Sequence, residues 1–258
     1  MKTKLKNITF TIVLFLIPVV TVAQTSPPLG ISASYALFTT SGAISNSGLS
    51  QVTGDFGTNG GAISGFGNVN GQMHTADATT TQCAIDVANA YNNLTAQTPA
   101  VPHGDALGGG EVLSPNIYLI TTASTITGNL ILDGCGDPNA QYVFQLNGVL
   151  STAASSRIVL TNGTKACNVF WRVAGAMNMA TNTTFKGTII ASGAVTIAAG
   201  CSLEGRALST AGAFVLSSLT AAVPLGCNDP VFSGPVAPNL GTVECFSILT
   251  SNGIVTNT

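Results

Sequence analysis

Charged side chains are scarce in this 258-residue chain, at 8 Lys and Arg and 10 Asp and Glu, or 7% of residues, with a net charge of −2. Ordinary soluble domains carry about 25%. No basic stripe exists, so the counterion release that drives nucleic-acid binding has no source. No acidic block exists either. There are only two His, and none of the six Cys forms a Cys-x-x-Cys pair, which argues against a zinc site. Beyond the N-terminus no apolar run is long enough to span a bilayer as a helix. This shortage of charge is not disorder, because 45% of residues are apolar and disorder needs the opposite balance. What fills the chain is small: 29 Gly, with many Thr, Ser, Ala and Asn. Such a composition implies a surface with at least one flat, neutral face. The length suits one large solenoid or two small domains.

The first 23 residues read as a secretory signal. Lys2, Lys4 and Lys6 precede an apolar stretch from Ile8 to Val20, and Thr21-Val22-Ala23 before Gln24 fits a cleavage site. A membrane anchor is the alternative, but a spanning helix needs about 20 apolar residues. The mature chain is therefore expected outside the cell, secreted or cell-surface. An even number of cysteines permits disulfides there. Cys135 and Cys167 each lie shortly before a Val-Phe strand and could meet at equivalent corners of neighbouring coils. Cys83 and Cys201 read as buried free thiols.

A repeat organises the middle of the chain. Gly175-Ala176-Met177-Asn178-Met179-Ala180 recurs 18 residues later as Gly193-Ala194-Val195-Thr196-Ile197-Ala198, and Gly212-Ala213-Phe214-Val215-Leu216-Ser217 follows 19 residues after that. Phe185-Lys186-Gly187 and Leu203-Glu204-Gly205 share the 18-residue offset. Looser copies are Gly148-Val149-Leu150-Ser151 and Thr122-Ala123-Ser124-Thr125. A period near 20 with short β-type runs and Gly corners indicates a solenoid of stacked coils. The best-defined coil holds three strands, 188–191, 194–197 and 202–204, with corners at Ser192-Gly193, Ala199-Gly200 and Gly205. Side chains alternate along a strand, so Met177, Met179, Val195 and Ile197 point inward. Lys186 and Glu204 sit one period apart and can pair across a rung.

One segment departs from the β pattern. From about 75 to 96 there is no Pro or Gly, and Ala76, Thr80, Cys83, Ala84, Val87, Tyr91 and Leu94 recur at helical spacing. Gly71 and Pro99 bracket it. Such a helix would be about 33 Å long, enough to cover one apolar face of the solenoid. After Val223, residues 224–243 read as a Pro-rich linker. Residues 244–258 then echo the start of the domain: the stretch from Phe246 matches that from Tyr35 at an offset of 211. The expected organisation is a signal (1–23), one domain (24–223), the linker, and the start of a possible second copy. The domain itself is read as a monomer.

Several stretches together resemble the microbial ice-binding protein family. They are Tyr35-Ala36-Leu37-Phe38 with Gly42-Ala43-Ile44-Ser45-Asn46, Thr53-Gly54-Asp55-Phe56-Gly57, Asp133-Gly134-Cys135-Gly136-Asp137-Pro138 with Tyr142-Val143-Phe144-Gln145, Lys165-Ala166-Cys167-Asn168-Val169-Phe170-Trp171, and Leu203-Glu204-Gly205-Arg206-Ala207-Leu208. The resemblance covers roughly residues 29–219. It implies a mainly β fold: a right-handed parallel β-helix of triangular section, its N-terminal coil stacked out of order beside the last coil, with one long α-helix alongside. It also implies adsorption to ice through one flat face, with no metal or cofactor. Some bacterial members carry a T-A/G-x-T/N pattern there. Thr122-Ala123-Ser124-Thr125 fits fully, while 174–178 and 192–196 have Gly in place of the first Thr.

The strand alternation then yields a candidate face: Ala43, Ser45 and Ser47; Ala123, Thr125 and Thr127; Val149, Ser151 and Ala153; Ala176, Asn178 and Ala180; Ala194, Thr196 and Ala198; Ala213, Val215 and Ser217. None is charged, aromatic or long, so little side-chain entropy is lost on adsorption. Methyls constrain adjacent water while hydroxyls and amides bond it. An ordinary exposed face would carry Lys, Glu and Arg.

Two other function classes compete. A carbohydrate-cleaving β-helix needs paired carboxylates, yet the acids are scattered. Only Asp133 and Asp137 are close, in a loop that reads as Asx turns or, less readily, a calcium site. His74 and His103 read as loop or helix-end residues, and Trp171 as a packed aromatic. The Gly-rich runs 57–61 and 108–110 lack the lysine of a phosphate loop. A cell-surface adhesion module is the second class, but its contact face would carry aromatic or Arg anchors.

Overall fold

The computed structural model describes residues 25–226. The expected leader (1–23), the linker beyond Gly226 and the echoed segment (244–258) lie outside the described residues. Short strands pair in parallel throughout. Eight of them form one sheet, and fifteen form a second that bends through a corner, giving the solenoid three flanks.

The stacking order differs from the chain order. On the flank that carries the helix, the strands run Val101–Pro102, Asn116–Ile120, Tyr142–Leu146, Val169–Val173, residues 188–191, residues 207–209, then Tyr35–Thr39, Asp55–Thr58 and Met73–Thr75. Leu37 pairs with Ala207 on one side and with Phe56 on the other. The N-terminal coil therefore docks onto the last coil, as the resemblance implies.

Glycine shapes the corner between the helix-bearing and third flanks. Thr184–Ala191 and Ser202–Ser209 are continuous eight-residue strands. The chain bends within them at Gly187 and Gly205, whereas the sequence pattern ended a strand there. At Gly205, φ is +157° and a Cβ would lie 1.9 Å from the Gly187 carbonyl oxygen, so only a residue without one turns there. Lys186 and Glu204 are register partners next to this bend and form the expected ion pair.

Inward side chains fill the triangle. Tyr118, Phe144 and Trp171 are successive register partners. Their rings stack at 5.3 and 3.9 Å between centroids. The Trp171 indole donates to the Lys186 carbonyl at 3.1 Å, so its one polar atom is satisfied inside the core. Met177, Met179, Val195 and Ile197 are all buried, as alternation requires. Burying each such side chain is worth about 1.5–3 kcal/mol.

The helix spans Ala78–Ala96, three residues shorter at its start than the spacing predicts. Met73–Thr75 instead continues the sheet beside Asp55–Thr58, and Ala76 turns at φ 48°. Asp77 then caps the helix. Its carboxylate accepts from the Thr80 N–H at 2.7 Å, and the Thr80 hydroxyl accepts from the Asp77 N–H at 2.9 Å, a reciprocal capping box. At the far end the Gln145 amide donates to the carbonyls of Leu94 and Gln97 at 2.7 and 2.9 Å, satisfying acceptors that a helix end leaves open. Cys83, Val87, Ala90 and Leu94 pack on outward residues of the sheet below, Phe38, Ile117, Val143, Phe170, Ile190 and Leu208. At about 1.5 Å per residue the helix is about 28 Å long and closes this flank to solvent.

The cysteines resolve one open choice. Cys135 is free and exposed, so it does not pair with Cys167. Cys167 is disulfide-bonded. Cys83 and Cys201 are free and buried.

Candidate functional site

The eight-stranded sheet is the flank opposite in character to the one under the helix. Its strands run Ile63–Ser64, Ile44–Ser47, Phe214–Ser217, Val195–Ile197, Met177–Met179, Leu150–Thr152, Ser124–Thr127 and Ala106–Gly108. Register aligns one outward residue from each into a single ladder: Ser64, Ser45, Val215, Thr196, Asn178, Ser151, Thr125 and Ala106. Adjacent parallel strands lie about 4.8 Å apart, so the ladder is roughly 34 Å long. It is unbroken by any charge.

Two further rows flank it. One is Ala43, Ala213, Ala194, Ala176, Val149 and Ala123. The other is Ser47, Ser217, Ala198, Ala180, Ala153 and Thr127. All eighteen residues marked from the sequence are exposed or half-exposed, and they share this outer side. Rows two residues apart along a strand are about 6.7 Å apart. The surface is therefore a strip three short side chains wide.

A glycine column bounds the strip. Gly61, Gly42, Gly212, Gly193, Gly175 and Gly148 follow one another along the stack, each at the corner before its strand. A Cβ on any of them would fall 2.2–3.2 Å from backbone of the neighbouring coil. At Gly61, Gly42, Gly212 and Gly148 the coils leave no room for a side chain, and at Gly193 and Gly175 one would press on the neighbouring backbone. Beside the column, hydroxyls staple one coil to the next: Thr58 donates to the Gly42 carbonyl, Thr39 to that of Gly212 and Ser209 to that of Gly193, at 2.7–2.8 Å. The strip is held flat by its own edge.

Polar groups on the strip fall into two kinds. Ser45 and Ser47 donate to the carbonyls of Phe214 and Leu216 at 3.2 and 3.4 Å and so keep their lone pairs for solvent. Thr125, Thr127, Ser151, Asn178, Thr196 and Ser217 make no side-chain hydrogen bond among the described residues, leaving water as their partner.

Sequence reasoning missed the two end strands, and with them Ser64 and Ala106. Ser64 was findable, since Gly61-Ala62-Ile63-Ser64 repeats Gly42-Ala43-Ile44-Ser45. Ala106 was not, because Asp105-Ala106-Leu107-Gly108 keeps only the alternation and loses the Gly-Ala corner.

Among the described residues, the acids and histidines singled out in the sequence sit in turns and local pairs. Asp133 and Asp137 accept from the N–H groups of Cys135 and Asn139 at 2.9 and 2.8 Å, the Asx turns expected of that loop. The Cys135 N–H, followed by the Asn162 amide, holds the Asp133 carboxyl below its ordinary pKa; a general acid needs the opposite shift. His74 bonds Asp77 and His103 bonds Glu111, at 2.8 and 2.9 Å, each a local pair. Among the described residues no group of three or more His, Cys, Asp or Glu is placed to hold a metal ion. None of their helices is long and apolar enough to cross a membrane.

Comparison with known proteins points one way. Residues 38–221 match the family model described as "Ice-binding-like". The chain is similar to an ice-binding protein of Nostoc sp., 37% identical over 182 residues, covering 68% of this chain and 66% of that one. It is also similar to one from Flammulina populicola, 35% identical over 197 residues, covering 71% and 77%. Among solved structures it resembles an ice-binding protein from an Antarctic Flavobacteriaceae bacterium, with a TM-score of 0.78 and 46% identity, covering 86% of this chain. This chain spans 53% of that protein's length.

Proposed function

The chain belongs to the ice-binding-like family, and from that premise we propose that it adsorbs to ice through the outer side of the eight-stranded sheet and has no catalytic activity. The observation that carries this reading is the register-aligned ladder from Ser64 to Ala106, flanked by alanine and serine rows and free of charge. A charged side chain would hold its own hydration shell. Here short hydroxyls, one amide and methyls meet water on a rigid support. Ordered water retained between them serves as the contact layer, since a bridging water is nearly as good enthalpically as direct contact. Each contact is weak, and a fixed array of many adds them without ordering anything new. Adsorbed molecules pin the growing crystal front, which must then curve between them, and growth stops until the temperature falls further. The signal-like N-terminus supports an exported protein acting outside the cell, where ice forms first.

The test is thermal hysteresis and recrystallisation inhibition on purified protein. Thr196→Tyr raises a bulky ring from the middle of the ladder, and we expect it to remove ice activity with the melting temperature unchanged. Thr220→Tyr makes the same change on the third flank and leaves activity intact. Equal activity in both variants would mean that ice is bound elsewhere.

A further inference from the structure

Ice adsorption makes no use of Arg206, a buried charged side chain. It is 4% exposed. Its Nε donates to the Ala33 carbonyl at 2.8 Å, and a terminal nitrogen to the Thr188 hydroxyl at 3.2 Å. The ion pairs of the described residues are His74–Asp77, His103–Glu111 and Lys186–Glu204, so no described carboxylate neutralises it. Burial lowers its pKa to about 10, which still leaves it charged at neutral pH. An uncompensated buried charge is costly.

Arg206 borders a cavity of about 490 Å³. The cavity arises from a step in the solenoid. The lower coils leave the third flank through loops around 134–141 and 162–168, whereas the upper coils turn sharply at Gly187 and Gly205. The N-terminal segment and the tail at Gly226 close over the step. Asn139, Gln141, Lys165, Asn168 and Phe170 also line the cavity, and none of its described lining residues is acidic. Lys165 donates to the Gly226 carbonyl at 3.0 Å, which brings a second positive charge to the rim. Gln141 donates to the Ser26 hydroxyl at 2.7 Å, while its Oε1 is buried without a donor.

We propose that this cavity binds a small oxyanion of the phosphate class, held by the Arg206 guanidinium with Lys165 at the rim. The planar guanidinium fork suits two oxygens of such an anion. Hydrogen phosphate also carries an O–H, which answers the free oxygen of Gln141. The anion supplies a counter-charge that no described residue gives, where the N-terminal segment, the tail and the last coil meet, so its binding stabilises that junction. The site does not depend on the ice-binding reading and lies off the open sheet.

The experiment is equilibrium dialysis of the full chain, disulfide intact, against inorganic phosphate in the millimolar range, with ionic strength held constant by chloride. One phosphate per chain, bound saturably, is expected. The melting temperature should rise with the same saturation curve, as mass action requires. Arg206→Gln should weaken binding about tenfold or more, the scale of a lost charged hydrogen bond. Lys165→Ala, a half-exposed loop position, should weaken it severalfold and decides the matter if Arg206→Gln fails to fold. The proposal is overturned if the unmodified chain binds no phosphate saturably. It is equally overturned if both variants bind as the unmodified chain does, or if stabilisation rises without saturating and sulfate matches it in all three proteins, the signature of a general salt effect.

Discussion

Thr196 and Val215 are register partners on adjacent strands of the open sheet, and Val215 leaves 54% of its surface exposed. The valine interrupts a ladder whose neighbours on either side, Ser45 and Thr196, carry hydroxyls. Valine and threonine share a shape, so what changes at this rung is one hydrogen-bonding group. Val215→Thr should keep or raise thermal hysteresis, with a stability change within about 0.5 kcal/mol, the usual range for surface substitutions. Val215→Lys should abolish hysteresis, because the ammonium brings hydration that does not fit an ordered layer. Hysteresis measured side by side on the two variants checks both.

The helix should matter for stability and not for ice. Leu94 is fully buried between the helix and the sheet beneath it. Leu94→Ala should cost about 2–5 kcal/mol through lost burial and the cavity left behind. Denaturant unfolding reads the cost. Hysteresis measured near 0 °C, where the variant is still folded, should match the unmodified chain.

Acid should loosen the start of the helix first. The Thr80 backbone N–H, followed by His74, holds the Asp77 carboxyl below its ordinary value of 3.8. A depressed pKa means that the stabilisation is complete above about pH 3.8 and is lost as the pH falls through the folded-state value. Asp77→Asn keeps a good cap without the titration, so its acid limb should be flatter. Asp77→Ala should cost about 0.5–2 kcal/mol at neutral pH. Melting temperatures from pH 2 to 7 distinguish the three proteins.

The free thiols should react in a fixed order. Cys135 is exposed, whereas burial pushes the Cys83 and Cys201 thiols up in pKa. Alkylation of the folded chain, mapped by mass spectrometry, should modify Cys135 quickly and the other two only on unfolding. Fast modification of Cys201 would contradict its place in the core.

Much of the fold and of the open face is legible in the sequence because the coil repeat forces like residues into like positions. Once Met177 and Val195 are aligned by their 18-residue offset, Asn178 and Thr196 must share a face. The register of adjacent strands then follows from the repeat itself. Where the period slips, the sequence loses its grip. The loops at 134–141 and 162–168 lengthen the lower coils, and nothing local says that Arg206 ends up beside them. The start of the helix is not legible because Met73–Thr75 fits either a helix or a strand, and pairing with Asp55–Thr58 decides it. The pairing of Cys135 with Cys167 failed for a related reason. Similar positions before equivalent strands do not bring two sulfurs together when the intervening loops differ.

Docking the first coil onto the last has a consequence for assembly. A simple solenoid can grow from whichever end is made first, each rung templating the next. Here Leu37 and Ile44 meet Phe56 and Ile63 on one side early, but their other side stays uncovered until Ala207 and Phe214 have been made and folded. A chain emerging at its N-terminus must carry one open edge of those apolar strands for most of its synthesis, and loop closure across about 170 residues is slow. In return neither terminus of the finished domain ends the stack. On the open sheet, fraying from the tips, the common failure of stacked repeats, would have to begin at Ala106 or Ser64, internal residues anchored by chain on both sides.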